Sequence, residues 1–252
     1  MQLTNKTALV TGGGSGIGSA TVDALAAEGA ALVVCDIDAG AGQAVVDRVL
    51  ARDGRASLVV MDVTDPEAHM TAVAEAERLF GGLDIAVNCA GISVGPSKVQ
   101  RVVHETSIDE WRRVMAINVD GIFLGLVAQV PAMIRRGGGS IVNIGSVMSV
   151  VARTKLSPYV TSKHAVIGLT KAAAVDCAEH GIRVNAVGPG YIDSPLLAYK
   201  PAEVRDVYAK LHPLGRMGTP AEVAQAVVWL ASSRSSFCTG SFYAVDGGYS
   251  AL

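Results

Sequence analysis

Short apolar runs alternate with segments of helical period along the whole chain, and that alternation restricts the fold more than any other feature. The runs "TALVT" (7–11), "ALVVCDI" (31–37), "ASLVVMDV" (56–63), "LDIAVNCAG" (83–91), "GSIVNIGS" (139–146), "IRVNAVGPG" (182–190) and "SFYAVDGG" (241–248) read as strands. Between them, 17–28, 39–52, 65–80, 107–136, 158–180 and 220–233 read as helices, two of them opened by Asp65-Pro66 and Thr219-Pro220. Strands that alternate with helices imply an α/β architecture: a doubly wound parallel sheet, joined by right-handed crossovers, with helices on both faces. No linker or repeat interrupts the pattern, so residues 1–252 are expected to form a single domain, with 191–219 (Pro195, Pro201, Pro213) as an insertion that covers the substrate. Ligands of such sheets bind at the C-terminal ends of the strands. Chemistry is therefore expected at Thr11 to Gly18, Asp36, Asp62, Asn88 to Gly91, Ser146 and Gly188 to Ser194.

Composition excludes several partners. A formal charge of -2 with no long basic run gives no footing for nucleic acid. No signal segment and no uninterrupted apolar stretch of membrane-spanning length is evident, so the expectation is a cytoplasmic chain without a membrane partner. Cys35, Cys89, Cys177 and Cys238 form no C-x-x-C pair, and His69, His104, His180 and His212 lack ligand spacing. No metal site is expected; buried thiols and solvated imidazoles are.

The stretch "VTGGGSGIG" (10–18) follows the first strand and opens the first helix. It lacks the lysine of a P-loop, because Ser19 follows Gly18, and it fits G-x-G-x-x-G in no frame. What remains is Gly12-x-x-x-Gly16-x-Gly18, a strand–turn–helix arrangement whose free backbone amides and helix dipole favour an anion such as a pyrophosphate. Asp36 closes the second strand, where a carboxylate accepts hydrogen bonds from an adenosine ribose. Its charge would repel a 2′-phosphate, and neither Ser15 nor Ile37 offers a cation in compensation, so NAD is expected over NADP.

Tyr159 and Lys163 stand at i and i+4 of a predicted helix and share one face. Interconversion of a secondary alcohol and a ketone couples hydride transfer at carbon to proton transfer at oxygen, and a tyrosine whose pKa of about 10 is lowered by a lysine cation can exchange that proton. Lys163 can also hold the nicotinamide ribose, and Ser146 can stabilise a developing alkoxide.

With these residues in view, the chain resembles the short-chain dehydrogenase/reductase family from end to end. "TGGGSGIG" is similar to that family's TGxxxGxG loop, "NCAG" (88–91) to its NNAG turn, "YVTSK" (159–163) to its YxxxK motif, "VNAVGPGYIDSP" (184–195) to its N-x-x-x-PG segment and "VDGG" (245–248) to its C-terminal signature. The resemblance implies a Rossmann-like fold and a catalytic set of Asn118, Ser146, Tyr159 and Lys163, with Asn118 holding a water that connects Lys163 to solvent. It implies a nicotinamide dinucleotide surrounded by Gly12, Ser15, Gly16, Ile17, Gly18, Asp36, Asp62, Val63, Asn88, Ala90, Gly91, Tyr159, Lys163, Pro189, Gly190, Ile192 and Ser194. It also implies a homotetramer. Two departures stand out: Cys89 replaces the turn's second asparagine, and Ser194 stands where a threonine commonly meets the nicotinamide amide.

Substrate contacts are expected from 92–99, 147–157 and 191–212. Ser146, Met148, Tyr159 and Tyr191 are the leading candidates, with Val150, Val151, Leu196 and Leu197 as further apolar ones. Arg153 and Lys155 are read as solvated, which favours an uncharged hydrophobic alcohol or ketone. The same tetrad would serve a cis-dihydrodiol or cyclohexadienediol dehydrogenase. A 3-oxoacyl carrier-protein reductase would need a basic docking surface, for which Arg135-Arg136 is the evident candidate, and a dinucleotide sensor would need no working tetrad.

Overall fold

Every residue of the first strand, β1 (Thr7–Thr11), is buried, as a strand flanked by others and covered on both faces must be. In the computed structural model, which describes residues 1–94 and 99–252, it lies inside a seven-stranded parallel sheet. Its companions are β2 (Ala31–Asp36), β3 (Arg55–Val60), β4 (Ile85–Asn88), β5 (Gly139–Ile144), β6 (Ile182–Pro189) and β7 (Phe242–Val245). The strand order is β3-β2-β1-β4-β5-β6-β7, so the winding reverses between β1 and β4 and opens a crevice above their C-terminal ends.

The helices are α1 (Gly16–Ala27), α2 (Ala39–Leu50), α3 (Pro66–Phe80), α4 (Ile108–Met115), α5 (Gly121–Arg136), α6 (Ser157–Cys177), α7 (Pro195–Ala198), α8 (Ala202–Lys210) and α9 (Pro220–Ala231). Strand side chains alternate between two cores. Ala8, Val10, Leu32, Val34 and Val142 pack with Val22 and Leu25 of α1, Val45 and Val49 of α2, and Val223 and Val227 of α9. Leu9, Val33, Ala86 and Ile141 face the opposite way, onto Val73 of α3, Ile122 and Leu126 of α5 and Val166 of α6.

Except for β1, the strands are shorter than their apolar runs. β3, an edge strand paired with β2, stops at Val60 because β2 ends at Asp36; the Met61 amide donates to the Asp36 carbonyl and the chain then leaves the sheet. The helix expected over 107–136 is interrupted by a π-turn at Ala116–Asp120. By length and composition the run Ile108–Arg136 could cross a membrane, contrary to the expectation of no such stretch, yet half of its most apolar part is buried inside the protein. The expected insertion at 191–219 carries α7 and α8. Two imidazoles expected in solvent are buried instead: His69 Nε2 bonds the Val63 carbonyl at 2.9 Å, and His212 Nδ1 bonds the Tyr208 carbonyl at 2.8 Å.

A polar network crosses the second core. Asn88 Nδ2 donates to Asn143 Oδ1 at 2.9 Å, Gln129 Nε2 donates to Asn88 Oδ1 at 2.8 Å, and Asn143 Nδ2 donates to Thr170 Oγ1 at 2.9 Å. All four residues are buried, so these bonds tie β4 and β5 to α5 and α6 in a low-dielectric interior. A buried acceptor stripped of its partner costs about 1–3 kcal/mol. Gln129→Met should therefore lower unfolding stability by about that amount, measured as a reduced midpoint in urea; an unchanged midpoint would contradict the network's role.

Candidate active site

The glycine turn is built by contact rather than by flexibility alone. A Cβ on Gly18 would lie 2.0 Å from the Gly12 carbonyl oxygen, and one on Gly12, whose φ is +65°, would lie 2.9 Å from the Ala90 backbone. α1 therefore starts directly against the end of β1. Its N-cap, Ser15, makes no side-chain cap, and among the described residues the amides of Gly16, Ile17 and Gly18 have no acceptor in the chain. These orphan donors at a helix N-terminus fit a pyrophosphate.

Asp36 is held beside the turn. Its Oδ2 accepts from the Gly14 amide at 2.8 Å and its Oδ1 from the Asp38 amide at 3.0 Å, which leaves lone pairs for two ribose hydroxyls. Asp62, just beyond β3, is fixed by the Thr64 amide at 2.9 Å and hydroxyl at 2.8 Å. Those bonds, with Arg113 of α4 nearby, hold its carboxyl below the usual range. Gly14, Thr64 and Arg113 did not stand out in the sequence, because their roles depend on which carboxylate each one meets.

Above the strand ends lies a cavity of about 660 Å³. It is lined by Gly12, Ser15, Gly16, Ile17, Gly18, Asp36, Asp62, Val63, Ala90, Gly91, Pro189, Gly190, Ile192 and Ser194, and on the other side by Ser146, Met148, Tyr159, Lys163 and Tyr191. Leu196 and Leu197 reach it from α7; Val150 and Val151 do not line it. Of the loop expected at 92–99, residues 95–98 lie outside the described residues, and Ile92 and Ser93 line the wall.

Two expected site residues lie behind the wall. Asn88 turns into the interior network, because it shares the face of Ala86 rather than that of Val87; the turn after it is held by Thr11, whose Oγ1 accepts from the Cys89 amide at 3.1 Å and the Ala90 amide at 3.3 Å. Asn118 sits in the π-turn. Its Oδ1 accepts from the Ile92 amide at 2.8 Å, while its Nδ2 donates to the Ile92 carbonyl at 2.9 Å and to Ser162 Oγ at 3.0 Å. With the side chain so committed, it positions the 91–92 turn, and a water on this residue would have to be held by its main chain.

The Tyr159–Lys163 pair differs from expectation in its electrostatics. Lys163 Nζ donates to the Ile144 carbonyl at 2.8 Å and lies 5.7 Å from the centroid of the Tyr159 ring. Burial pushes Lys163 down to about 8 and pushes the Tyr159 phenol up, opposed by a hydrogen bond from Ser146. Desolvation thus outweighs the Ser146 hydrogen bond, and the phenol keeps its proton. Ser146 is itself preset: its Oγ accepts from the Met148 amide at 3.1 Å and its own amide donates to Ser149 Oγ at 3.2 Å. Cys89, in the cavity wall, is pushed up to about 12 by burial and stays a thiol.

Tyr191 is clamped over the opposite wall. Its ring stacks on Tyr208 at 4.2 Å, its hydroxyl accepts from Arg153 Nη1 at 2.7 Å, and its amide donates to His212 Nε2 at 3.1 Å. The last bond requires His212 to carry its proton on Nδ1.

This arrangement has close counterparts. Residues 12–250 match the family profile described as enoyl-(acyl carrier protein) reductase. The chain is 46% identical over 246 residues to cyclohexanol dehydrogenase of Acinetobacter sp. (strain SE19), covering 97% of this chain and 95% of that one. The chain belongs to the short-chain dehydrogenase/reductase family. Another family relative, 2,5-dichloro-2,5-cyclohexadiene-1,4-diol dehydrogenase of Sphingobium indicum, is 45% identical over 99% of both chains. Cis-4-hydroxycyclohexanecarboxylate dehydrogenase of Sinomonas cyclohexanicum is 43% identical over 98% of this chain and 97% of that one. Among solved structures, a short-chain type dehydrogenase/reductase from Mycobacterium marinum matches with a TM-score of 0.94 at 37% identity, covering 100% of this chain and 98% of that one.

The depressed Lys163 pKa carries a sign for stability. The unfolded chain, with an ordinary lysine near 10.4, binds more protons than the folded one between about pH 8 and that value, so stability tied to this group rises with pH across that window. Thermal melts of wild type and Lys163→Met should show the wild type gaining on the variant from pH 8 to 10. A difference independent of pH would contradict a buried, depressed lysine.

Proposed function

We propose that this protein is an NAD-dependent dehydrogenase that interconverts a cyclic secondary alcohol and its ketone. One observation carries the reading: Ser146, Tyr159 and Lys163 share a cavity with a glycine turn whose orphan amides and neighbouring carboxylate suit a dinucleotide. The names of relatives that act on cyclohexanol, a cyclohexadienediol and a hydroxycyclohexanecarboxylate support a ring-bearing substrate. They favour this reading over a carrier-protein reductase, and the cavity-lining Ser146, Tyr159 and Lys163 favour it over a dinucleotide sensor.

The glycine turn would hold the pyrophosphate, Asp36 the adenosine ribose, Asp62 and Val63 the adenine, and Lys163 the nicotinamide ribose, with Ser194 near the amide. The bound dinucleotide supplies the hydride acceptor at the reacting carbon. Ser146 donates to the alcohol oxygen and stabilises negative charge there. Tyr159 takes the hydroxyl proton during oxidation and returns it during reduction. A substrate oxygen between Ser146 and Tyr159, together with a ribose on Lys163, replaces the solvation that burial removed and brings the phenol toward its working range. NAD is favoured over NADP because Asp36 presents a charge where a 2′-phosphate would sit, with Ile37 and Ser15 beside it. A homotetramer is part of the proposal; the exposed apolar Phe123 and Val127 on α5 and Val175 on α6 suit contact with further copies.

The test is NADH absorbance with purified protein, NAD and cyclohexanol. Tyr159→Phe should lose at least about a hundredfold in kcat while NAD affinity stays within about twofold. Substantial turnover by that variant would overturn the proton role. Asp36→Ala should erode the preference for NAD over NADP by about tenfold or more in kcat/KM. A preference unmoved by that change would remove Asp36 from cofactor selection.

A further inference from the structure

Arg153 lies midway along the segment between Ser146 and Tyr159, and the sequence gives no reason to separate it from Lys155 two positions later. The structure separates them. Lys155, with φ +64°, is exposed and stands outside the cavity, whereas Arg153 is half-buried in the cavity wall. Its guanidinium carbon lies 5.5 Å from the centroid of the Tyr191 ring and 5.1 Å from that of Tyr208. The guanidinium thus lies beside the stacked Tyr191–Tyr208 pair, within cation–π range of both rings. Its one hydrogen bond among the described residues is the 2.7 Å contact from Nη1 to the Tyr191 hydroxyl, and burial keeps that phenol neutral by pushing it up to about 12. A guanidinium carries five N–H donors, so most of this fork has no protein acceptor among the described residues.

No carboxylate among the described residues forms an ion pair with Arg153. The acids that line the cavity, Asp36 and Asp62, sit at the ends of β2 and β3. In the strand order, β2 is three strands from β5, about 14 Å away at the usual spacing, and it is β5 that leads into Ser146. Among the described residues, the wall around Tyr159 therefore carries an immobilised cation without an ion-pair partner, while the acids that line the cavity sit at its other end. A partly desolvated cation of this kind is costly unless a ligand completes it. A planar fork held beside a tyrosine stack matches a carboxylate in two-pronged geometry.

We propose that Arg153 recognises a carboxylate on the alicyclic alcohol, so that the preferred substrate is a ring-bearing hydroxy acid and its product a keto acid. This rests on the reading of the cavity as an NAD-linked alcohol site and narrows it. The aromatic cluster of Tyr191, Tyr208 and Tyr249, with ring centroids of Tyr191 and Tyr249 5.8 Å apart, holds the segment that keeps Arg153 in place. The alternative role for Arg153 is mechanical, as a clamp on Tyr191. The two roles differ in one respect: a clamp serves every substrate alike, whereas a carboxylate anchor serves only the anion.

The experiment compares kcat and KM, with NAD, for cis-4-hydroxycyclohexanecarboxylate, its methyl ester and cyclohexanol. The proteins are wild type, Arg153→Met and Arg153→Lys. Wild type should prefer the acid to the ester by at least about tenfold in kcat/KM, since a charge-assisted pair is stronger than a neutral one. Arg153→Met should lose at least tenfold more efficiency on the acid than on the ester, chiefly through KM, and Arg153→Lys should lie between. Equal wild-type efficiency on acid and ester, a preference that survives Arg153→Met, or a loss of equal size on all three compounds would overturn the proposal while leaving the alcohol-dehydrogenase reading intact. NADH formation by wild type from none of the three would overturn that reading itself, and the proposal with it.

Discussion

The contact between the Gly12 carbonyl and Gly18 fixes the position of everything else around the cavity. Because no side chain can stand between them, α1 begins at the mouth of β1, and its unpaired amides face the crevice opened by the reversal of strand order. The next close approach, Gly12 against Ala90, brings the end of β4 to the same point. Thr11 bridges the two strand ends through its hydroxyl, and Asn118 reaches across from the π-turn to hold the backbone of Ile92. The cofactor side of the cavity is thus set by backbone contacts that a single β-carbon would disrupt.

The side of the cavity around Tyr159 is organised by a different constraint, the cost of burying ionisable groups. Tyr159 and Lys163 are both pushed toward their neutral forms, in opposite directions on the pH scale, so neither stands ready for proton transfer until polar ligand groups replace lost water. The fixed partners of Ser146 and Lys163 are main-chain groups, the Met148 amide and the Ile144 carbonyl. Their positions follow from the ends of β5 and the start of α6 rather than from mobile side chains. Arg153 completes this side as the cation held on tyrosine rings.

Much of this was legible in the sequence, for identifiable reasons. Strands buried on both faces are mostly apolar, so β1, β2, β4, β5 and β6 announced themselves as short apolar runs broken by few polar residues, and the strand–turn–helix context identified the glycine segment. Facing was harder to read. Asn88 falls in an apolar strand opposite Asn143, and two amides in register on neighbouring buried strands are the signal that could have assigned it to an interior network. His69 shares the spacing of Ala72, Val73 and Ala76 on the buried face of α3, a signal the sequence carried, while only the packed structure shows the His69 and His212 imidazoles each bonded to a carbonyl. The π-turn at Ala116–Asp120 and the inward turn of Arg153 against the outward turn of Lys155 depend on local backbone geometry that periodicity does not encode.

The central proposal is that hydrogen moves directly between a carbinol carbon and the nicotinamide of a dinucleotide whose pyrophosphate rests on the glycine turn. Its most direct test is to supply NAD with cyclohexanol deuterated at the carbinol carbon and to locate the label by mass spectrometry. The account predicts deuterium on the reduced cofactor, one atom per turnover, with none released to water. Label in the solvent, or ketone formed without labelled cofactor, would contradict it.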